Sequence, residues 1–156
     1  MTVAAAIFGM GNPYRGDDGV GVAVAEQLAR RTLPGVRVLC GVTDPTVLLD
    51  FWPATPLLVI IDAITCPAAV PGRVHRFTDH TMLTHTSLTS THSIGVLRAI
   101  ALGEQLELPS PTIVFHLIEV AAVGHGPGLS APVAGAVCDV VRAVTGDLGN
   151  ICATGR

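Results

Sequence analysis

Charge is scarce in this 156-residue chain: Asp, Glu, Lys and Arg make up 13% of it, and the net charge is -3. No stretch gathers Lys and Arg into a basic stripe, which excludes the electrostatic footprint of a nucleic-acid binder. Cysteine is present but dispersed. Cys40, Cys66, Cys138 and Cys152 form no CxxC pair, so neither a disulfide framework nor a cysteine metal knuckle is indicated. Reduced thiols of a cytoplasmic protein are the simplest reading. Long apolar runs are missing too. The longest, residues 57–61 with its flanks, stops at Asp62, far short of the ~20 residues of a membrane span. The first residues carry no positive n-region, so no signal peptide is read there.

Several familiar motifs are absent. There is no GK[ST] phosphate loop, no HExxH and no GxSxG. Gly9-Met10-Gly11 begins a dinucleotide fingerprint, but Tyr14 occupies its third glycine position. Asp17 and Asp18 would repel a pyrophosphate, and the second apolar strand ends at Cys40 rather than at an acid for a ribose. A nucleophilic role for Cys66 stays open beside the plainer role of a small buried thiol.

What the chain has is apolar sequence: 49% hydrophobic residues and a mean hydropathy of +0.57, which suits a sheet covered on both faces. The length predicts one domain, here residues 1–146, with 147–156 as a flexible tail. Strands are predicted at 3–8, 36–40, 57–61, 73–77 and 112–118, and helices at 17–31, 46–52, 94–106 and 132–144. Residues 78–93 are rich in Thr, Ser and His without an apolar period and read as a long loop. Alternating strands and helices predict a three-layer α/β/α sandwich around a mostly parallel sheet of about five strands. The strand at 73–77 follows its predecessor through a short turn and is predicted antiparallel, making the sheet mixed.

Ligands of such sheets bind beyond the carboxyl ends of the strands. Asp17 and Asp18 follow the first strand, Asp62 ends the central one, and Glu119 ends the strand before the last helix. His92 sits just before a helix start. Two carboxylates and an imidazole can hold a divalent metal with positions left open. Either Asp17 or Asp18 could simply cap the first helix. Two in a row favour one capping and one facing the edge. Asp62 follows five apolar residues, where a carboxylate is costly unless paired or coordinated. His75, His80, His85, His116 and His125 compete with His92, and Glu119 is equally readable as a salt-bridged strand end.

The ordered set Gly9-x-Gly11-Asn12, Asp17-Asp18-Gly19-x-Gly21, Asp62-Ala63, Ser90-x-His92-x-x-Gly95 and Gly128-Leu129-Ser130 resembles the hydrogenase maturation proteases. These endopeptidases process the large subunit of [NiFe]-hydrogenases. The resemblance covers nearly the whole chain. It implies a three-layer α/β/α fold and metal contacts that map to Asp18, Asp62 and His92, which would also be the catalytic residues. It implies as partner a large-subunit precursor already loaded with nickel, from which a short C-terminal peptide is removed. The metal is then nickel supplied by the substrate, with zinc or a similar ion as a stand-in. Asn12, Asp17 and Glu119 fall to substrate contact or to the surroundings of the metal, with Asp17 and Glu119 as candidate bases. One segment departs from the family pattern: Cys40-Gly41-Val42-Thr43-Asp44-Pro45 stands where many members carry an acid and a Gly-rich turn, which leaves the particular hydrogenase open. Two other readings compete: a nickel-dependent chaperone that grips the precursor without cutting it, and a metal-dependent hydrolase of a small molecule.

Overall fold

A computed structural model of the chain describes residues 2–84, 90, 92–121 and 123–154. The first strand, β1 (Ala5–Met10), is buried along its whole length. A 3-10 turn over Gly16–Gly19 leads into α1 (Val20–Ala29). Then come β2 (Val36–Val42), a short α2 (Leu48–Phe51) entered through a turn that Asp44 caps, and β3 (Leu57–Ile64). The second half comprises β4 (Val74–Phe77), a one-turn α3 (Thr81–Thr84), α4 (Ser93–Gln105), β5 (Thr112–Glu119) and α5 (Ala131–Thr154).

The five strands lie in the order β2-β1-β3-β5-β4. All neighbours are parallel except β4, which runs antiparallel to β5. The sheet is therefore mixed and mostly parallel, as expected. Side-chain alternation along β1 splits the core in two. Ala5 and Ile7 join Val20, Val24 and Leu28 of α1 and Val133, Val137 and Val140 of α5 on one face. Ala6, Phe8 and Met10 join Leu48, Trp52, Val96 and Ile100 on the other, under α2 and α4. Helices on both faces make the three layers. No helix among the described residues is long and apolar enough to cross a membrane.

Four predictions of extent need correction. The first helix starts later than residue 17, because Gly16–Gly19 wind as a 3-10 turn before α1 begins at Val20. The central strand does not stop at Asp62: β5 offers ladder partners as far as Glu119, so β3 continues to Ile64. The loop at 78–93 contains α3, where Asp79 accepts from the Thr81 N–H and hydroxyl. His85 lies outside the described residues. Most consequentially, 147–154 is helix rather than tail. Asp147 on α5 is buried, bonded to Arg76 of β4 and to His116 of β5, and Leu148 packs on the core.

Candidate active site

The sheet order places a topological switch between β1 and β3: the chain leaves β1 for β2 on one side and returns as β3 on the other. Open α/β sheets form their ligand crevice at such a point. The register sharpens the location. The β1–β3 ladder ends at Gly9↔Ile61, so Asp62 is the first residue of β3 with no β1 neighbour, while β5 still pairs with it through Leu117. The gap is filled by the loop that carries Asp18.

Gly11 shapes that loop. Its φ is +106°, and a Cβ there would stand 2.0 Å from the Asp18 carbonyl oxygen, so only glycine fits. The turn also brings the Asn12 N–H to Asp18 Oδ2 at 2.9 Å. Gly21 lets α1 approach closely, since a Cβ would meet the carbonyl oxygens of Ile61 and Met10 at 2.4 and 2.5 Å. Gly11 and Gly21 are therefore contact points that seat the helix start and its carboxylate against the two strands.

Asp62 alternates with Ile60 and Ile64 on the face beneath α4. Its Oδ1 accepts from the Ala63 N–H at 2.9 Å and its Oδ2 from the Ser90 hydroxyl at 2.9 Å. The same Ser90 oxygen accepts from the N–H groups of His92 and Ser93 at 3.2 and 2.8 Å. One hydroxyl thus ties the β3 carboxylate to the start of α4. His92 Nδ1 lies 3.5 Å from Asp62 Oδ2 but is buried without a hydrogen-bond partner. Burial pushes the Asp62 pKa up, against the lowering effects of His92, Ser90 and the Ala63 N–H. The Asp62 carboxylate raises the His92 pKa, burial opposes it, Asp18 adds to it and Arg15 subtracts.

Among the described residues, one group offers three metal-type donors together. Asp18, Asp62 and His92 each present an atom within 4.8 Å of the others. Atoms ligating one ion at about 2.0–2.2 Å can stand no more than about 4.4 Å apart, so a small rotamer adjustment closes the set. An orphaned, buried imidazole nitrogen beside two carboxylates fits a borderline divalent ion that takes its remaining ligands from elsewhere.

The other predicted residues lie around this group. Asn12 contributes its N–H to Asp18, while its side-chain oxygen accepts from the Tyr14 N–H. Neither Asp17 nor Asp18 caps its own helix through its side chain. Asp17 reaches across the fold instead: its two oxygens accept from the N–H and hydroxyl of Ser130, both at 2.7 Å. Glu119 sits apart, its oxygens engaged by His75 Nε2 at 2.6 Å and the Val70 N–H at 2.7 Å, with Arg73 at 3.7 Å. These contacts, His75 foremost, hold its pKa down. Burial and the Glu119 carboxylate push the Cys66 thiol pKa up, away from the thiolate a nucleophile needs. His80 pairs with Glu104, and His116 with Asp147. The residue whose role was missed is Ser90. Its signal was legible as a serine three residues before a second serine at a helix start, since the two bond reciprocally.

Comparison with known proteins identifies the family to which the fold belongs. No curated protein matches the chain at the significance required. Solved structures do. The hydrogenase maturating endopeptidase HybD from E. coli shares 21% identity over 96% of this chain and 93% of its own, with a TM-score of 0.82. The [NiFe] hydrogenase maturation protease HybD from Thermococcus kodakarensis shares 26% over 93% and 97%, with a TM-score of 0.76. HycI from Thermococcus kodakarensis KOD1 shares 22% over 94% and 93%, at 0.70. A family model described as HycI, hydrogenase maturation protease, matches residues 22–147. With most of its length under that model, the chain belongs to the hydrogenase maturation protease family, a family of peptidases.

Proposed function

We propose that this peptidase removes a C-terminal peptide from the nickel-loaded precursor of a [NiFe]-hydrogenase large subunit, and that Asp18, Asp62 and His92 are its catalytic, metal-contacting residues. The observation that carries the reading is the incomplete donor set at the β1/β3 switch: three donor atoms of Asp18, Asp62 and His92 within 4.8 Å of one another, with the buried Nδ1 of that same His92 making no hydrogen bond. A set of two oxygens and one nitrogen leaves positions for ligands that come with the cargo ion. Nickel is substrate here, carried in by the precursor; zinc suits the same donors.

Asp18, Asp62 and His92 would hold the cargo ion, which would then supply Lewis-acid polarisation of the neighbouring scissile carbonyl. The rest of the work falls to the chain. Asp18 is aimed by the Asn12 N–H and Asp62 by Ser90 and the Ala63 N–H. Fixed donors register the bond to be cut, and orientation of this kind supplies several kcal/mol of a barrier. His92 acts with its liganding ring nitrogen unprotonated, as a ligand must be. Cys40, Cys66 and Cys138 are free thiols, in keeping with a cytoplasmic reaction.

Mass spectrometry of a nickel-loaded precursor, with and without the protein, tests the proposal. Loss of a C-terminal peptide is expected with the wild type. None is expected with Asp18→Ala, Asp62→Ala or His92→Ala, each of which should melt as a folded protein. Full trimming by any variant removes that residue from the site. A bound but uncut precursor would instead make the protein a chaperone, and equal trimming of a nickel-free precursor would remove the ion from the reaction.

A further inference from the structure

Beside the three donors the sheet opens into a second feature. A cavity of about 40 Å³ lies between β3, β5 and α4, floored by Ile60, Ile64 and Leu117 and walled by Val96 and Leu97. Its polar lining comes from Asp62, Ser90 and Ser93. Asp62 thus belongs to both places: its side chain is one of the clustered donors and it lines the cavity. This follows from the strand period, which sets Ile60, Asp62 and Ile64 on one face.

We propose that this cavity is the specificity pocket of the peptidase and takes an aliphatic side chain from a residue flanking the scissile bond. The inference rests on the proposed cleavage reaction. Size and chemistry select the occupant. One water needs about 10–15 Å³ on the scale where this space measures about 40 Å³, so the pocket holds three or four heavy atoms. That is a Val, Leu or Ile side chain, and it is too small for an aromatic ring. An acidic side chain would meet the Asp62 carboxylate at the pocket wall and find no cation among the described lining residues. A long basic one would bury its charge among isoleucines and leucines. An aliphatic group seated there hangs its backbone beside Asp62, which places the adjoining peptide bond at the donors.

The test uses nickel-loaded precursors carrying Leu, Ala, Asp or Phe at each position flanking the mapped cut, with kcat/KM read by mass spectrometry. Hydrophobic pockets discriminate by about 10–200-fold. Wild type is therefore expected to prefer Leu over Ala and Asp by at least about 10-fold at one of the two positions. Val96→Phe, which fills the pocket, should erase that preference. Leu97→Ala, which widens it, should admit Phe. Cleavage indifferent to both flanks, within about twofold, overturns the pocket while leaving the peptidase reading standing. Failure to cut any precursor overturns both. Should Val96→Phe not fold, Leu97→Ala decides, and an unchanged rejection of Phe counts against the pocket.

Discussion

Asp17 offers a sharp test of how the site is braced. Its two carboxylate oxygens hold Ser130, each at 2.7 Å, across 113 residues of chain. A second link runs in parallel, from the Gly16 N–H to the Gly126 carbonyl at 2.8 Å. Together they clamp the turn that bears Asp18 onto the segment leading into α5. Hydrogen bonds to a charged group are each worth about 1.5–3 kcal/mol. Ser130 is solvent-exposed, so water takes over its freed donors and no orphan is left behind. The low end applies, and Asp17→Ala should cost about 2–3 kcal/mol in all. For a domain of this size that lowers Tm by about 4–12 °C, at about 2–4 °C per kcal/mol.

Calorimetry measures that loss, and a double-mutant cycle isolates it. Ser130→Ala removes the hydroxyl and keeps the N–H, so its coupling to Asp17→Ala reports the single bond between hydroxyl and carboxylate. A coupling of about 1 kcal/mol is expected, and strict additivity within about 0.3 kcal/mol refutes the clamp. Cleavage should fall further than stability. Displacement of a positioned group by an ångström can cost about 100-fold, and Asp18 is the next residue. An Asp17→Ala protein that melts as wild type and cleaves at full rate would show that the two carboxylates are independent.

Three further outcomes follow from the geometry. Gly11→Ala should lower Tm and stop cleavage together, because its φ of +106° and a Cβ 2.0 Å from the Asp18 carbonyl force the turn open; an unchanged melt refutes this. Ser90→Ala should reduce kcat more than it raises KM, with Ser90→Thr restoring part of it, since the hydroxyl aims Asp62; a pure KM effect would count against that role. Burial holds the His116 pKa down despite Asp147, so the unfolded chain takes up this proton first as pH falls. Stability from His116 is full above the unfolded value of about 6.5 and declines below it, toward the depressed folded value. Tm should therefore drop more steeply between pH 7.5 and 5.5 in wild type than in His116→Gln, and parallel slopes refute the assignment.

Much of this was legible in the residues. The apolar run at 57–61 read as a central strand, and β3 does lie at the centre of the sheet. Asp62 was readable because it follows five apolar residues, where an unpaired charge is costly, whereas Asp18 and His92 were readable from their places after the first strand and before a helix start and from the family resemblance. What stayed hidden is equally specific. Local pattern ended the last helix near residue 144 because Gly146 and Gly149 lower helix propensity. Tertiary contacts overrode that: Asp147 meets Arg76 and His116, and Leu148 extends the apolar stripe of Val133, Val137, Val140 and Val144. The Asp17–Ser130 bond was invisible because sequence shows what a residue can donate or accept, not which distant partner the fold brings to it.

The site also explains why such costly groups persist at the switch point. Asp62 is 3% exposed and Asp18 4%, and their donor atoms lie within 4.8 Å of one another. At an effective dielectric of about 20, two unit charges at that distance repel by about 3.5 kcal/mol. Ser90, the Ala63 N–H and the Asn12 N–H offset part of this, and the adjoining imidazole part of the rest. Stability alone would favour replacing one carboxylate by its amide. Asp62→Asn should accordingly fold at least as stably as wild type, and yet lose cleavage, because an amide is a poor ligand for the cargo ion. Thermal unfolding and trimming assays run on the same preparation separate the two effects. If Asp62→Asn were clearly less stable than wild type, the charge would be a structural support, and the argument that it is kept for the reaction would fail.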